Sequence, residues 1–181
     1  MKDLSLHILD IAQNSIVAGA SLIQINIEEN TKDNTLTISI TDNGKGMSEE
    51  TLKKVTDPYY TSRTTRKVGL GIPLFKQNAE KCGGHFSIQS TEGKGTITEA
   101  VFEHNHIDRP PIGDIAGVVI ILVSANPELD FIYSHNINEK NYTFDTREIK
   151  EILEGIPLNE PEVVKMLRGM IKDNLSELKT K

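Results

Sequence analysis

A two-layer α+β sandwich is the fold class that this 181-residue chain predicts, and three observations carry it. Helix-period stretches over 3–18 and 70–82 alternate with runs of strand character at 22–28, 35–41, 84–90 and 96–103. The strand runs are joined mostly by connections of the antiparallel type, with helices between them. Turn residues fall where such connections need them, at Thr31-Lys32-Asp33-Asn34 and at Glu92-Gly93.

In order, the first helix places Leu4, Ile8, Ile11 and Ser15 on one face and Asp10 with Asn14 on another. The run Thr35-Leu36-Thr37-Ile38-Ser39-Ile40-Thr41 alternates apolar and polar residues, as a half-buried strand does. Ser48-Glu49-Glu50 has the form of an N-cap followed by acidic first-turn positions, which predicts a short helix over 48–54. After an irregular segment, Gly69-Leu70-Gly71-Ile72-Pro73-Leu74 opens a helical pattern that runs to about Cys82, where Gly83-Gly84 stops it. Two strands and the Glu92-Gly93 turn complete a first unit over 1–104.

His104 to Pro111 is polar, proline-containing and aperiodic, so residues 105–111 read as a linker to a small α/β region over 112–181. There Ile115 to Val123 is nearly all apolar, and periodicity alone does not separate helix from strand. Asp114 as an N-cap and Asn126-Pro127 as a stop favour helix. Phe131-Ile132-Tyr133 and Tyr142-Thr143-Phe144 read as a hairpin. Asp145-Thr146-Arg147-Glu148 resembles a capping box for a helix with Ile149, Ile152, Leu153 and Ile156 on one side. A last helix starts at Asn159 and carries Val164, Leu167, Ile171, Leu175 and Leu178 as a core stripe.

A formal net charge of −6 argues against a nucleic-acid footprint and against anionic membrane surfaces. Met1-Lys2-Asp3-Leu4 leads straight into a polar-faced helix, so neither a signal peptide nor a membrane span is expected. Cys82 stands alone, which fits a reducing compartment and a cytoplasmic protein.

The segment Asp42-Asn43-Gly44-Lys45-Gly46-Met47 stands between a strand and a helix start. A carboxylate at a strand's end can accept hydrogen bonds from an exocyclic amine, and Gly44 and Gly46 let backbone approach a flat ring. That describes a purine pocket; an ordinary Asp-Asn-Gly turn is the other reading. Asp10 and Asn14 can serve one ligand from one helix face, and the glycines Gly69 and Gly71 before a helix N-terminus leave amides free for phosphate. Gly93-Lys94-Gly95-Thr96 precedes the last strand of the first unit.

This ordered set resembles the GHKL superfamily: the ATP-binding domains of DNA gyrase, the large heat-shock chaperones, sensor histidine kinases and MutL-type mismatch-repair proteins. The resemblance covers roughly residues 4–103. Its asparagine box looks like Asp10-x-x-x-Asn14, its glycine boxes like Asp42-x-Gly44-x-Gly46 and Gly69-x-Gly71, and its last box like Gly95-Thr96. Asn14-Ser15-Ile16-Val17-Ala18-Gly19-Ala20 looks MutL-like, with Val17 where that pattern has Asp. Asp57-Pro58-Tyr59-Tyr60-Thr61-Ser62-Arg63 looks like a histidine kinase or an anti-sigma-factor kinase, as does the short stretch from Arg63 to Gly69.

The resemblance implies a Bergerat-type fold that binds Mg-ATP. On it, Asp42 accepts from the adenine amino group, with Gly44, Gly46 and Met47 around the base. Thr96 resembles the threonine that joins Asp42 through an ordered water, an ordinary strand threonine being the alternative. Asn14 gives its side-chain oxygen to Mg²⁺. Thr61, Ser62, Gly69, Leu70 and Gly71 line the triphosphate, with Lys67 or Arg63 adding positive charge. Asp10 occupies the catalytic position, where hydrolysing members have Glu and many histidine kinases have Asn; its carboxylate is one methylene shorter. His7 lies within the asparagine-box helix, so autophosphorylation of the sensor kind is not expected. His104 and His106 read as solvated linker residues.

Two functions follow from the resemblance. One is an ATPase or protein kinase that hydrolyses ATP or passes its γ-phosphate to a regulatory protein partner of unknown identity. The other is a nucleotide-sensing module with little turnover, whose C-terminal region engages a partner.

Overall fold

Asp3 starts the first helix, α1 (Leu4–Val17), by accepting the Leu6 amide at 3.2 Å and the Ser5 hydroxyl at 2.6 Å. The computed structural model describes residues 2–57 and 71–180. Leu4, Ile8, Ile11 and Ser15 are all buried, as the helical period requires. β1 (Leu22–Asn30) and β2 (Thr35–Asp42) pair antiparallel, with Ile25 opposite Ile40 and Ile27 opposite Ile38. Asn34, at φ 55°, supplies the left-handed residue that closes their turn.

The short helix α2 (Glu49–Val55) is capped by Ser48 and buries no residue. Helix α3 (Gly71–Lys81) buries Ile72, Pro73, Phe75 and Ala79. β3 (His85–Thr91) pairs with β4 (Gly95–Glu103), which pairs in turn with β2. Gly83, at φ 73°, ends α3 as expected.

After residue 111, α4 (Ile115–Ala125) is capped by the Asp114 carboxylate, 2.9 Å from the Gly117 amide, and is buried nearly all round. Its helical form fits the cap and the Asn126-Pro127 stop better than its β-branched content suggests. β5 (Asp130–Ile137) and β6 (Lys140–Asp145) form the expected hairpin, and α5 (Thr146–Leu153) and α6 (Pro161–Lys179) close the chain. β5 pairs parallel to β1, with Tyr133 opposite Ile25. A single six-stranded sheet results, in the order β3-β4-β2-β1-β5-β6. The described residues from 112 on therefore extend the same sheet and core as those up to 104.

Helices α3, α1, α4 and α6 lie side by side over one face of this sheet, each touching its neighbour. Ile23, Ile25, Ile27, Leu36, Ile38, Ile40, Ala100 and Phe102 point into that layer. Gln24, Glu28 and Thr37, half a period away, do not. The architecture is a two-layer α+β sandwich.

Three local readings need correction. The last helix starts at Pro161, not Asn159, because proline at the first helical position gives up an N–H that the first turn cannot use. On α5, Ile149 and Leu153 pack on the core but Ile152 is 75% exposed. At 100° per residue it lies roughly 90° from the direction shared by Thr146, Ile149 and Leu153. Ile156 lies beyond the helix, which Glu154 (φ 46°) and Gly155 (φ 95°) terminate, and it too is exposed. Finally, His104 is no solvated linker residue: its Nε2 lies 2.9 Å from Glu29 Oε2.

Candidate functional site

The C-terminal end of β2 delivers Asp42 between Ser15 of α1, the turn after β2 and the start of β4. Two donors fix its carboxylate. The Ser15 hydroxyl donates to Oδ2 at 2.5 Å, and the Gly44 amide donates to Oδ1 at 2.9 Å. Each carboxylate oxygen keeps an acceptor site, so an oriented carboxylate remains able to receive a further N–H.

The turn 43–46 is tied down by its neighbours. Asn43 Oδ1 accepts the amides of Ser21 (2.8 Å) and Leu22 (3.0 Å), and the Lys45 amide donates to Ala18 O at 2.9 Å. A Cβ on Gly44 would stand 2.9 Å from Ala18 Cβ; one on Gly46 would stand 2.1 Å from Thr91 O, at a φ of 66°. Both glycines are therefore required by close backbone approach within the chain itself.

Thr96 sits opposite Asp42 in the β2–β4 register. Its hydroxyl is 2.8 Å from Ser90 Oγ, which also accepts the Met47 amide at 2.8 Å and lies 3.1 Å from Gly95 O. One assignment satisfies all three contacts: Ser90 donates to Gly95 and accepts from Met47 and Thr96, leaving Thr96 with acceptor capacity. The Met47 amide is thus tied to the Ser90–Thr96 pair.

Asp10 and Asn14 lie one turn apart on α1, both half-buried. Burial raises the Asp10 carboxyl above its ordinary value. The Asp10 carboxylate rests against the first residue of α3, where a Cβ on Gly71 would fall 2.1 Å from Oδ2. Gly71 is accordingly buried and its place at the α3 N-terminus is set by Asp10. Five of the residues expected to bind nucleotide, Thr61, Ser62, Lys67, Gly69 and Leu70, lie outside the described residues, as do Arg63 and Arg66.

Sequence reading missed Ser15 as a partner of Asp42, having placed it with the core face of α1. It also missed Ser90 and Asn43. The signal for Ser15 was its position: a hydroxyl on an otherwise apolar helix stripe needs a polar partner once buried.

Two further titratable clusters lie apart from Asp42. His7 is 1% exposed, stacks on Phe75 at 5.2 Å between ring centroids, and has Nε2 2.9 Å from Asn78 Nδ2. Burial, followed by the positive chain terminus and opposed by Asp3, lowers its pKa to about 4. At the other end of β1, Glu29 bridges His135 (2.7 Å) and His104 (2.9 Å), and His135 Nδ1 is 2.7 Å from the Tyr133 hydroxyl. Burial alone would raise Glu29; the hydrogen bonds and charge of His135 and His104 outweigh it and hold the carboxyl down to about 2. Among the described residues no three His, Cys, Asp or Glu side chains are arranged to hold a metal ion, and no helix is long and apolar enough to cross a membrane.

Comparison with known proteins places this geometry. A putative sensor protein of Shewanella frigidimarina is 38% identical over 77 residues, which are 42% of this chain and 12% of that protein. Sporulation kinase E of Bacillus subtilis is 33% identical over 97 residues, 54% of this chain and 13% of the kinase. The chain thus spans about an eighth of the length of these curated relatives. Among solved structures, the MutL ATPase domain of Aquifex aeolicus complexed with ADP superposes with a TM-score of 0.52 at 12% identity, over 85% of this chain and 70% of that one. The N-terminal domain of a DNA repair protein gives 0.51 at 18% identity, over 80% of this chain and 52% of that one. At those identities the likeness is one of fold, a mixed α+β sandwich of the same type. Residues 2–106 match the family described as histidine kinase-, DNA gyrase B- and HSP90-like ATPase, and the chain belongs to that family.

Proposed function

We propose that this protein binds ATP with Mg²⁺ at Asp42 and turns it over, by hydrolysis or by transfer of the γ-phosphate to a protein partner. The observation that carries the reading is the Asp42 carboxylate, oriented from two sides by Ser15 and the Gly44 amide. It accepts from the 6-amino group of adenine; guanine has a carbonyl there and is rejected. Family membership supports nucleotide binding, and the MutL neighbour is itself an ADP complex.

The remaining roles follow from position. Thr96, opposite Asp42, extends the polar edge around the base. Gly71, at the start of α3, lies against Asp10, and Gly69, Leu70, Lys67, Thr61 and Ser62, which precede it in sequence, are assigned to the phosphates. Asn14 suits Mg²⁺: its amide oxygen is a hard donor, half-buried beside Asp10, and the ion keeps most of its own waters. Bound there, the ion would neutralise phosphate charge. Asp10 orients the attacking water or hydroxyl and takes its proton, a role to which its raised pKa is suited.

A nucleotide-sensing module with little turnover is the second reading. It is favoured by Asp10 itself, whose short carboxylate is packed against Gly71. Calorimetry with Mg-ATP and Mg-GTP tests the binding site, and single-turnover phosphate release from wild type and Asp10→Asn tests the chemistry. Equal affinity for the two nucleotides would overturn the site; a wild type without turnover, and an Asp10→Asn variant altered only in Mg²⁺ dependence, would establish the sensing module.

A further inference from the structure

Helix α6 turns Val163, Leu167, Ile171 and Leu178 inward, against α4, β5 and β6. The opposite face carries Glu162, Lys165, Met166, Gly169 and Asp173, all exposed, along a shallow groove with Gly169 near its middle. Two features of that face gain little from packing among the described residues. Gly169 stands mid-helix, where glycine weakens a helix relative to alanine, yet a Cβ there would meet nothing within 4 Å. Met166, a large apolar side chain, is 54% exposed beside it. A helix face with its central side chain deleted admits another backbone closely.

We propose that a second copy of this chain docks on this face, α6 against α6, antiparallel about a two-fold axis through Gly169. In such a pair, residues equally spaced before and after position 169 meet at the same height from opposite flanks of the seam, within about 40° of its centre for a spacing of four. Lys165 and Asp173 are each four residues from Gly169, so each meets the other across the axis, and the ion pair forms twice. Glu162 likewise opposes Ser176. A parallel pair would instead set Lys165 against Lys165 and Asp173 against Asp173, so the charge pattern selects the antiparallel arrangement. Among the described residues, neither Lys165 nor Asp173 takes part in an ion pair within the chain. A seam one helix wide falls below the roughly 1,200 Å² of a stable interface, so monomer and dimer exchange and the association weakens with salt.

Sedimentation equilibrium of the full chain, from micromolar to millimolar concentration at low salt, reads this directly. Wild type should pass from monomer to dimer. Lys165→Asp and Asp173→Lys should each weaken the dimer about tenfold or more, because each places like charges opposite one another twice. An equimolar mixture of those two variants, and the double variant K165D/D173K, should restore it, since both recreate two opposite-charge pairs. Gly169→Leu should abolish self-association with the helical circular-dichroism signal intact. A wild type that stays monomeric throughout, single variants that dimerise as wild type does, or a mixture that fails to recover would each overturn the proposal.

Discussion

Replacing Asp42 by Ala removes the carboxylate proposed to accept from adenine, and the loss can be estimated from its surroundings. A hydrogen bond to a charged acceptor contributes roughly 1.5–3 kcal/mol, so ATP affinity should fall about ten- to a hundredfold. GTP, which gains nothing from Asp42, should lose little. Ser15 supplies a control for geometry, because its hydroxyl reaches Oδ2 at 2.5 Å without forming part of the ligand surface. Ser15→Ala should cost about three- to tenfold, roughly 0.7–1.4 kcal/mol, less than losing the carboxylate because the Gly44 amide still holds Oδ1. In the Asp42→Ala background its effect should vanish, since there is no carboxylate left to orient. Titration calorimetry with Mg-ATP and Mg-GTP on wild type, both single variants and the double variant gives the four free energies. An Asp42→Ala variant that binds ATP normally refutes the base-recognition role. A Ser15→Ala effect that persists undiminished in the double variant refutes the positioning route.

Asp10→Asn should lower turnover by roughly one to three orders of magnitude with affinity nearly unchanged, because its contribution is made in the transition state; single-turnover kinetics separates the two. The acid limb of the wild-type pH–rate profile should lie above the ordinary carboxylate value, as burial of Asp10 requires, and a limb at or below it would contradict the assignment. His7 binds its proton near pH 6.5 in the unfolded chain but only near pH 4 when folded, so the unfolded state carries more protons between those values. Stability therefore falls as pH drops through that window, by as much as about 3 kcal/mol, and denaturant melts of wild type and His7→Gln should show the slope only in the former. Glu29→Ala should destabilise by roughly 1–3 kcal/mol at neutral pH, since His135, 1% exposed, loses the carboxylate its Nε2 faces. Glu29's own contribution is present above its unfolded pKa of 4.5 and is lost as pH falls toward 2, so wild-type and variant stabilities should converge there.

The parts of this molecule that sequence alone determined are those with a local period or a local stereochemical demand. α1 shows its buried face at helical spacing, β2 alternates, and Ser48, Asp114 and Asp145 cap the helices that follow them. Gly46, at φ 66°, meets such a local demand, whereas the contacts that exclude a Cβ at Gly44 and Gly46 come from Ala18 and Thr91 and are tertiary. Tertiary structure decided everything that depends on elements far apart in the chain. The parallel pairing of β5 with β1 merges the C-terminal region into the sheet, and no periodicity in either strand announces its partner. The Ser15–Asp42 bond spans 27 positions and the Glu29–His135 bond 106; in sequence each side chain is only a polar residue on an apolar face. Such residues declare that a partner must exist, because a buried polar group left unpaired is costly, but only the packing of helix on sheet selects which group it is.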